Sequence, residues 1–410
     1  MVTAQMNNPL VLTLLHLWTG PLPKEELFPD RKIDPLLHWV IHPIKRWLAK
    51  IYLWILQRFF GLKVVAVTGS VGKTTTKDML ASILSLEGPT VVTRDNITST
   101  YNIPDTILRC TPATRVLVLE MGVEYPGDMD FYTWLARPDI GIITSVNRTH
   151  THFLGTVENV SAEKGKLLTA LSPAGFAVVN ADDPNILINT QASILKFGVN
   201  PDSEIRIITS QLTPDFKTRL VLSINGQQIT VNLPIAGRHF ALNAAAAAAA
   251  AFRLTARPQS ISAGLERFAP PPHRMTPVTL KNGVVLLDDS YNANPLAVSA
   301  SLETLAELAQ ITHRQPVFIF GQMNELGQYE QSAHEEIGMK IAKLKIGKLF
   351  CTGPAAKHTV TAAGFGDYFE TVEDLTSAVS QQLTATDLLL FKASRSYHFE
   401  SIVSALKDTP

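Results

Sequence analysis

The 410 residues suggest roughly two to three domains, and 36 Lys plus Arg against 36 Asp plus Glu leave no net charge, which argues against a nucleic-acid binder. Cys110 and Cys351 are too few for a disulfide scaffold or a four-cysteine zinc site, so a reducing, cytoplasmic setting is expected for the catalytic body.

The first sixty residues stand apart, because Trp18, Trp39, Trp47 and Trp54 lie there and only Trp134 lies elsewhere. Between Leu36 and Phe60, helical spacing puts His38, His42, Lys45, Arg46, Lys50 and Gln57 on one side and Leu37, Val40, Ile44, Leu48, Ile51, Tyr52 and Ile55 on the other, with Arg58 breaking the division. Residues 36–60 carry basic side chains and no acidic ones. That pattern predicts peripheral contact with the inner face of the cell membrane, the tryptophans sitting at headgroup depth. The alternative is an amphipathic helix packed on the protein's own body or on a second subunit. No run reaches the roughly 18 uncharged apolar residues of a spanning helix, and the small-residue cleavage site of a secretory signal is missing.

Next, Val64-Val65-Ala66-Val67 reads as a strand, Thr68-Gly69-Ser70-Val71-Gly72-Lys73-Thr74-Thr75-Thr76 as a glycine turn, and Lys77-Asp78-Met79-Leu80 as the helix it opens. Such a turn lets backbone N–H groups close around phosphate oxygens, with the helix N-terminus adding positive charge. Lys73 can reach the outer phosphates and a threonine hydroxyl can hold Mg2+. Residues Gly69 to Thr75 are therefore expected to cradle a nucleoside triphosphate. Val67 stands where the common GxxxxGK[ST] motif has its first glycine, which disfavours an ordinary GTPase or kinase.

Further strands are expected at Val64 to Val67, Thr90 to Thr93, Val116 to Leu119, Ile140 to Ser145 and Phe176 to Asn180, separated by helical stretches, as in a mostly parallel sheet. Glu204 to Leu233 alternate like antiparallel strands around Asn225-Gly226 and are expected to form a side sheet. Ala244 to Ala251 read as a helix able to pack closely on a sheet. Pro270-Pro271-Pro272 marks a boundary. Beyond it Val284 to Leu287, Val317 to Phe320, Lys348 to Cys351 and Leu388 to Phe391 suggest a second α/β unit of dinucleotide-binding type.

Several strings in order carry a resemblance: TGxxGKTT; Leu119-Glu120-Met121-Gly122 with Pro126-Gly127; His150 with Lys164; Gly237-Arg238-His239 with Asn243; Asp288-Asp289-Ser290-Tyr291-Asn292-Ala293-Asn294-Pro295; Glu325-Leu326-Gly327; and Lys392-Ala393-Ser394-Arg395-Ser396. Across about residues 63 to 405 the chain resembles the Mur ligase family, and within it the branch that adds D-alanyl-D-alanine to UDP-N-acetylmuramoyl-tripeptide in peptidoglycan synthesis. The resemblance implies an α/β protein: a helical segment (1–62), a central P-loop ATPase domain with a mostly parallel sheet (63–272) and a Rossmann-like C-terminal domain (273–410).

The resemblance also implies a chemistry. ATP would phosphorylate the acceptor carboxylate, and the amine of D-alanyl-D-alanine would attack the acyl phosphate. Lys73, Lys164, His150 and Arg274 would be catalytic. Thr74 and Glu120 would hold one Mg2+, and His150 with Lys164, carbamylated by CO2, a second. Asn243 would bond the adenine, Arg274 would reach phosphate, and Asp289 and Asn292 would meet the nucleotide. Lys392, Ser394 and Arg395 would position the dipeptide carboxylate.

Departures from the branch are Thr98-Ser99-Thr100-Tyr101-Asn102-Ile103-Pro104 in place of an Asn-Asn pair before Ile-Gly-Val-Pro, Phe240 for Asn, His152 for an acid and Gln322 for Asp. The tryptophan-rich helix stands where the branch has a domain gripping the uridine nucleotide, so the substrate is expected either near the membrane or recognised by the central domain. The competing readings are a Mur-like ligase acting on a folate or lipid-linked acceptor and a membrane-attached ATP-binding regulator without ligation.

Overall fold

The computed structural model describes residues 9–28, 34–94, 99–149, 151–254 and 256–408. The helices α1 (Pro9–Thr19) and α2 (Lys24–Leu27) precede a π-turn, Leu37–Ile41, that runs into α3 (His42–Phe60). Gly61 ends α3 in the left-handed region, where its N–H caps the Leu56 carbonyl. Among the described residues no helix is long and apolar enough to cross a membrane.

Helix α3 has two apolar sides rather than the one expected, and the inward one also carries a buried cation. Pro43, Arg46, Ala49, Leu53 and Leu56 are buried against the body, while Leu37, Ile44, Leu48, Ile51 and Trp54 are exposed. Cations fix the helix in place. The Arg46 guanidinium lies 5.3 Å from the Phe131 ring centre and 5.9 Å from that of Tyr101. Lys50 sits 4.0 Å over Trp134, and Lys45 pairs with Asp105. Stacking on aromatic faces lets these cations sit against a protein surface, although burial still pushes the Arg46 pKa down to about 10 and lowers that of Lys50.

Beyond α3 the chain alternates: β1 (Lys63–Thr68), α4 (Lys73–Leu84), β2 (Thr90–Val92), α5 (Ser99–Leu108), β3 (Val116–Glu120), α6 (Asp128–Leu135), β4 (Ile140–Ile143), α7 (Thr151–Leu154), α8 (Val157–Thr169), β5 (Phe176–Asn180) and β6 (Ser193–Gly198). Then come β7 (Ile205–Leu212), β8 (Thr218–Ile224) and β9 (Gln227–Leu233), followed by α9 (His239–Arg253) and α10 (Pro258–Arg267). One nine-stranded sheet runs β2-β3-β1-β4-β5-β6-β7-β8-β9. It is parallel as far as β7, and antiparallel from β7 to β9.

The expected side sheet is thus a continuation of the main one. Its link is short, with Phe197 opposite Ile205 and Gly198 opposite Arg206. Asn225 and Gly226 both take positive φ and turn the β8–β9 hairpin. The alanine helix α9 is buried through Ala251, and its short side chains let it lie closely on the sheet and on α4.

The second unit comprises β10 (Thr276–Thr279), β11 (Val285–Asp288), α11 (Pro295–Thr312), β12 (Gln315–Gly321), α12 (Glu330–Lys343), β13 (Lys348–Thr352), α13 (Ala356–Ala363), β14 (Asp367–Phe369), α14 (Val372–Gln382), β15 (Asp387–Lys392) and α15 (Glu400–Asp408). Its sheet runs β10-β11-β15-β12-β13-β14, with only β10 antiparallel to its neighbour.

Candidate active site

β1 lies between β3 and β4, parallel to both, so the turn after β1 opens at the carboxyl ends of the strands where successive connections diverge. Register places Glu120, the last residue of β3, beside Val67. The Thr74 hydroxyl, in the first turn of α4, donates to Glu120 Oε1 at 3.0 Å. Lys77 Nζ lies 3.7 Å from the other carboxylate oxygen.

The two glycines of the turn are required by contact. A Cβ on Gly69 would stand 2.0 Å from Thr144 Oγ1, and one on Gly72 2.2 Å from Asn243 Oδ1; both residues have positive φ. Ser70 Oγ accepts from the Thr149 hydroxyl at 2.9 Å and Ser145 Oγ accepts from Val71 N–H at 3.1 Å, which fixes the loop. Lys73 Nζ donates to the Gly69 carbonyl at 2.9 Å. Burial chiefly holds the Lys73 ammonium below its ordinary pKa, with Glu120 opposing that shift and Arg274 adding to it.

Lys164, on α8, is fully buried and its Nζ has no hydrogen-bond partner. Burial, then the Lys73 charge, push its pKa from 10.5 down to about 7 against the pull of Asp128 and Glu163. Neighbouring Glu163 accepts from Gly127 and Met129 N–H at 3.0 and 3.1 Å. Asp128 is pushed up to about 7, mainly by burial. His150 lies outside the described residues; before it, the Thr149 hydroxyl donates to Ser70 of the turn, and after it, the Thr151 hydroxyl donates to the Leu326 carbonyl of the second unit at 3.1 Å.

A cleft between the two sheets joins the phosphate turn and Glu120 to Arg274, Tyr291, Asn292 and Lys392. Behind the turn a pocket is walled by Leu242, Leu296, Ala297 and Ala300, with Asn147, Asn180, Asn185 and Asn243 as its amides. It opens beside Gly72 of the turn.

The sequence matches the Mur ligase middle domain over residues 67–251 and the Mur ligase glutamate ligase domain over residues 273–395. It is 31% identical to the UDP-N-acetylmuramoyl-tripeptide–D-alanyl-D-alanine ligase of Escherichia coli K12 over 93% of this chain and 85% of the relative. The chain belongs to the Mur ligase family. The ligase of the same description from Bacillus subtilis 168 is 30% identical over 88% of this chain and 79% of its own. Among solved structures, MurF from Acinetobacter baumannii superposes with a TM-score of 0.80 at 26% identity, covering 89% of this chain and 81% of that one. MurF from Thermotoga maritima in complex with ADP gives 0.78 at 25%, covering 88% and 83%. A match over 93% of the chain extends beyond residues 63–405 into the N-terminal helices.

Within this Mur ligase the expected residues do not all converge. Gly69, Ser70, Val71, Gly72, Lys73 and Thr74 form the turn, whereas Thr75 is buried and does not line the cleft. Asp289 Oδ2 pairs with Lys392 Nζ at 2.5 Å and accepts from Ser301 at 2.7 Å, all buried, and Asp289 does not line the cleft. Lys392 still lines the cleft, its pKa lowered by burial and supported by Asp289. Ser394 is buried and accepts from Asn324 N–H at 2.8 Å. Arg395 is exposed and pairs with Glu400 at 3.0 Å.

Tyr291, a member of the Asp288–Pro295 string to which the sequence assigns no role, lies between two guanidinium groups, Arg274 at 4.3 Å and Arg395 at 5.8 Å. Ser99, one of the departures, reaches the cleft and holds Gly122 N–H at 2.9 Å. His239 lines the pocket behind the turn, its pKa pushed down to about 4 by burial. The only signal in the sequence for these three is their place inside or beside the family strings.

Proposed function

We propose that this Mur ligase joins D-alanyl-D-alanine to UDP-N-acetylmuramoyl-tripeptide with ATP cleaved to ADP and phosphate, a step of peptidoglycan precursor synthesis. The observation that carries the reading is the match to the Escherichia coli ligase of that name over nearly the whole length of both chains. The acceptor carboxylate oxygen attacks the γ-phosphorus and ADP leaves. The dipeptide amine then attacks the acyl carbon, phosphate leaves, and the nitrogen gives up a proton to form the amide.

The turn's N–H groups and Lys73 would hold the β- and γ-phosphates, with Arg274 reaching the transferred group from the opposite wall. Thr74 and Glu120, hard oxygen donors 3.0 Å apart at the phosphate end, fit Mg2+. When bound, the ion neutralises charge on the phosphates. Lys164 suits carbamylation: a buried, unpartnered amine near pKa 7 is largely neutral at physiological pH, and its nitrogen can add CO2 with loss of one proton. The carbamate, with His150, would supply oxygen and nitrogen donors for a second Mg2+. Asn243 would bond the adenine; Asn292 would meet the nucleotide across the cleft. Lys392 and Arg395 would draw the dipeptide carboxylate.

The test is product mass spectrometry with ADP release, using Mg-ATP, UDP-N-acetylmuramoyl-tripeptide and D-alanyl-D-alanine. The expected product is the acceptor plus the dipeptide less one water, made by the wild type and not by Lys73→Ala. ADP release with a different amino-acid or acceptor pair, and none with this one, would overturn the assignment.

A further inference from the structure

The outward side of α3 is an apolar surface that the fold leaves uncovered. Of the large hydrophobic side chains exposed on the described residues, more than half lie before residue 61, so the exposure is concentrated and not scattered. Leu37, Ile44, Leu48, Ile51 and Trp54 are each over 40% exposed and share one face. At 100° per residue they and their neighbours cover roughly 160° of the helix, along a length of about 28 Å. The end of α1 extends the surface with Leu17 and Trp18, exposed at 68% and 44%.

The two elements are locked together edge to edge. Trp18 Nε1 donates to the Trp39 carbonyl at 2.7 Å, and Trp47 Nε1 donates to the Trp18 carbonyl at 2.9 Å. Their rings are therefore held at set positions on the rim.

We infer that this face docks flat on a bilayer containing anionic phospholipid. Charge selects the occupant. Between Pro35 and Lys77 there is no acidic residue, and Arg58, exposed within the apolar arc, has no carboxylate partner among the described residues. A second copy would set the same acid-free face against this one and leave Arg58 without a counter-charge. Anionic headgroups supply that charge, and the acyl boundary takes the wide arc, which exceeds the narrow seam of a two-helix coil. The inward side is committed to the body by Arg46, Lys45 and Lys50, so docking needs no unpacking. α3 packs on α5, which brings Ser99 and Asn102 to the cleft. The docked enzyme therefore holds its cleft one helix away from lipid.

The experiment is flotation of the full chain with phosphatidylcholine vesicles, with and without phosphatidylglycerol, beside light scattering without lipid. The wild type is expected to float with phosphatidylglycerol vesicles. Ile44→Glu/Ile51→Glu should lower the bound fraction about tenfold or more, and Arg58→Gln severalfold, while both keep solution ligase activity, which shows that they fold. No flotation above that of the double variant would overturn the inference. A stable wild-type dimer that Ile44→Glu/Ile51→Glu makes monomeric, with no vesicle binding, would assign the face to a second copy instead.

Discussion

Burial lowers the pKa of the Lys164 amine to about 7, and the same burial costs stability. Its pKa is 10.5 as an ordinary side chain and about 7 in the fold. The depressed value means that the group's contribution is complete above 10.5 and is lost as pH falls towards about 7, because the unfolded chain gains the proton first. Without CO2, the wild type should therefore lose a few kcal/mol across that window relative to Lys164→Met, whose side chain suits the buried site without a charge. Melting curves in CO2-free buffer would show this as parallel curves if Lys164 were in fact solvated. With bicarbonate added, wild-type ligation should rise as pH climbs through about 7, and Lys164→Met should stay inactive. Nothing in Glu163-Lys164-Gly165-Lys166 signalled the burial: one lysine of that string, Lys166, pairs with Asp130 and Glu163 at the surface, and its neighbour two places earlier points into the core.

At the scale of elements, the phosphate turn makes the sharpest prediction. Gly72 has φ +83, and a methyl added there would stand 2.2 Å from the Asn243 amide oxygen; Gly226 has φ +87, and a methyl added there would meet nothing within 4 Å. Gly72→Ala should lower ADP affinity at least about tenfold by displacing Asn243, beyond the roughly 1–3 kcal/mol of backbone strain. Gly226→Ala should carry the strain and leave calorimetric ADP binding unchanged. Equal effects on binding from both would mean that Gly72 matters through strain alone. The turn, β1 and the strands around them were legible because a buried parallel strand is a continuous apolar run and a glycine turn has fixed spacing. β6, β10 and β14 were not: Ser193–Gly198 is half exposed, and Thr276–Thr279 and Asp367–Phe369 are short edge strands without buried runs. In α3, periodicity disclosed two faces, but the inward one is set by Ala49, Leu53 and Leu56 in the core together with cation–π contacts to Tyr101, Phe131 and Trp134. Those partners are remote in sequence, so no local pattern could reveal them.

Across the whole molecule, the site exists only where the two sheets meet. The glycine turn, Lys73 and Glu120 belong to the first unit; Arg274, Asn292 and Lys392 belong to the second. The segment that flanks His150 is also gripped from the second unit, with His152 N–H donating to the Glu325 carbonyl at 3.2 Å and Thr151 to that of Leu326. Arg148, in the same segment, pairs with Glu336 of α12 at 2.9 Å and lies 5.2 Å over Tyr329. Arg148 is partly and Glu336 well exposed, so the pair's contribution to stability should be under about 1 kcal/mol. Its effect on closure should be larger than its effect on folding, because it spans the two units beside the reacting groups. Arg148→Ala is therefore expected to lower kcat/KM for ligation by about tenfold, a loss of about 1.4 kcal/mol in the transition state, while the melting temperature moves by no more than a few degrees. Steady-state kinetics and a thermal melt on the same preparation decide it. A large fall in melting temperature with kcat/KM unchanged would make the contact a strut of the fold and leave closure to the backbone bonds at Glu325 and Leu326.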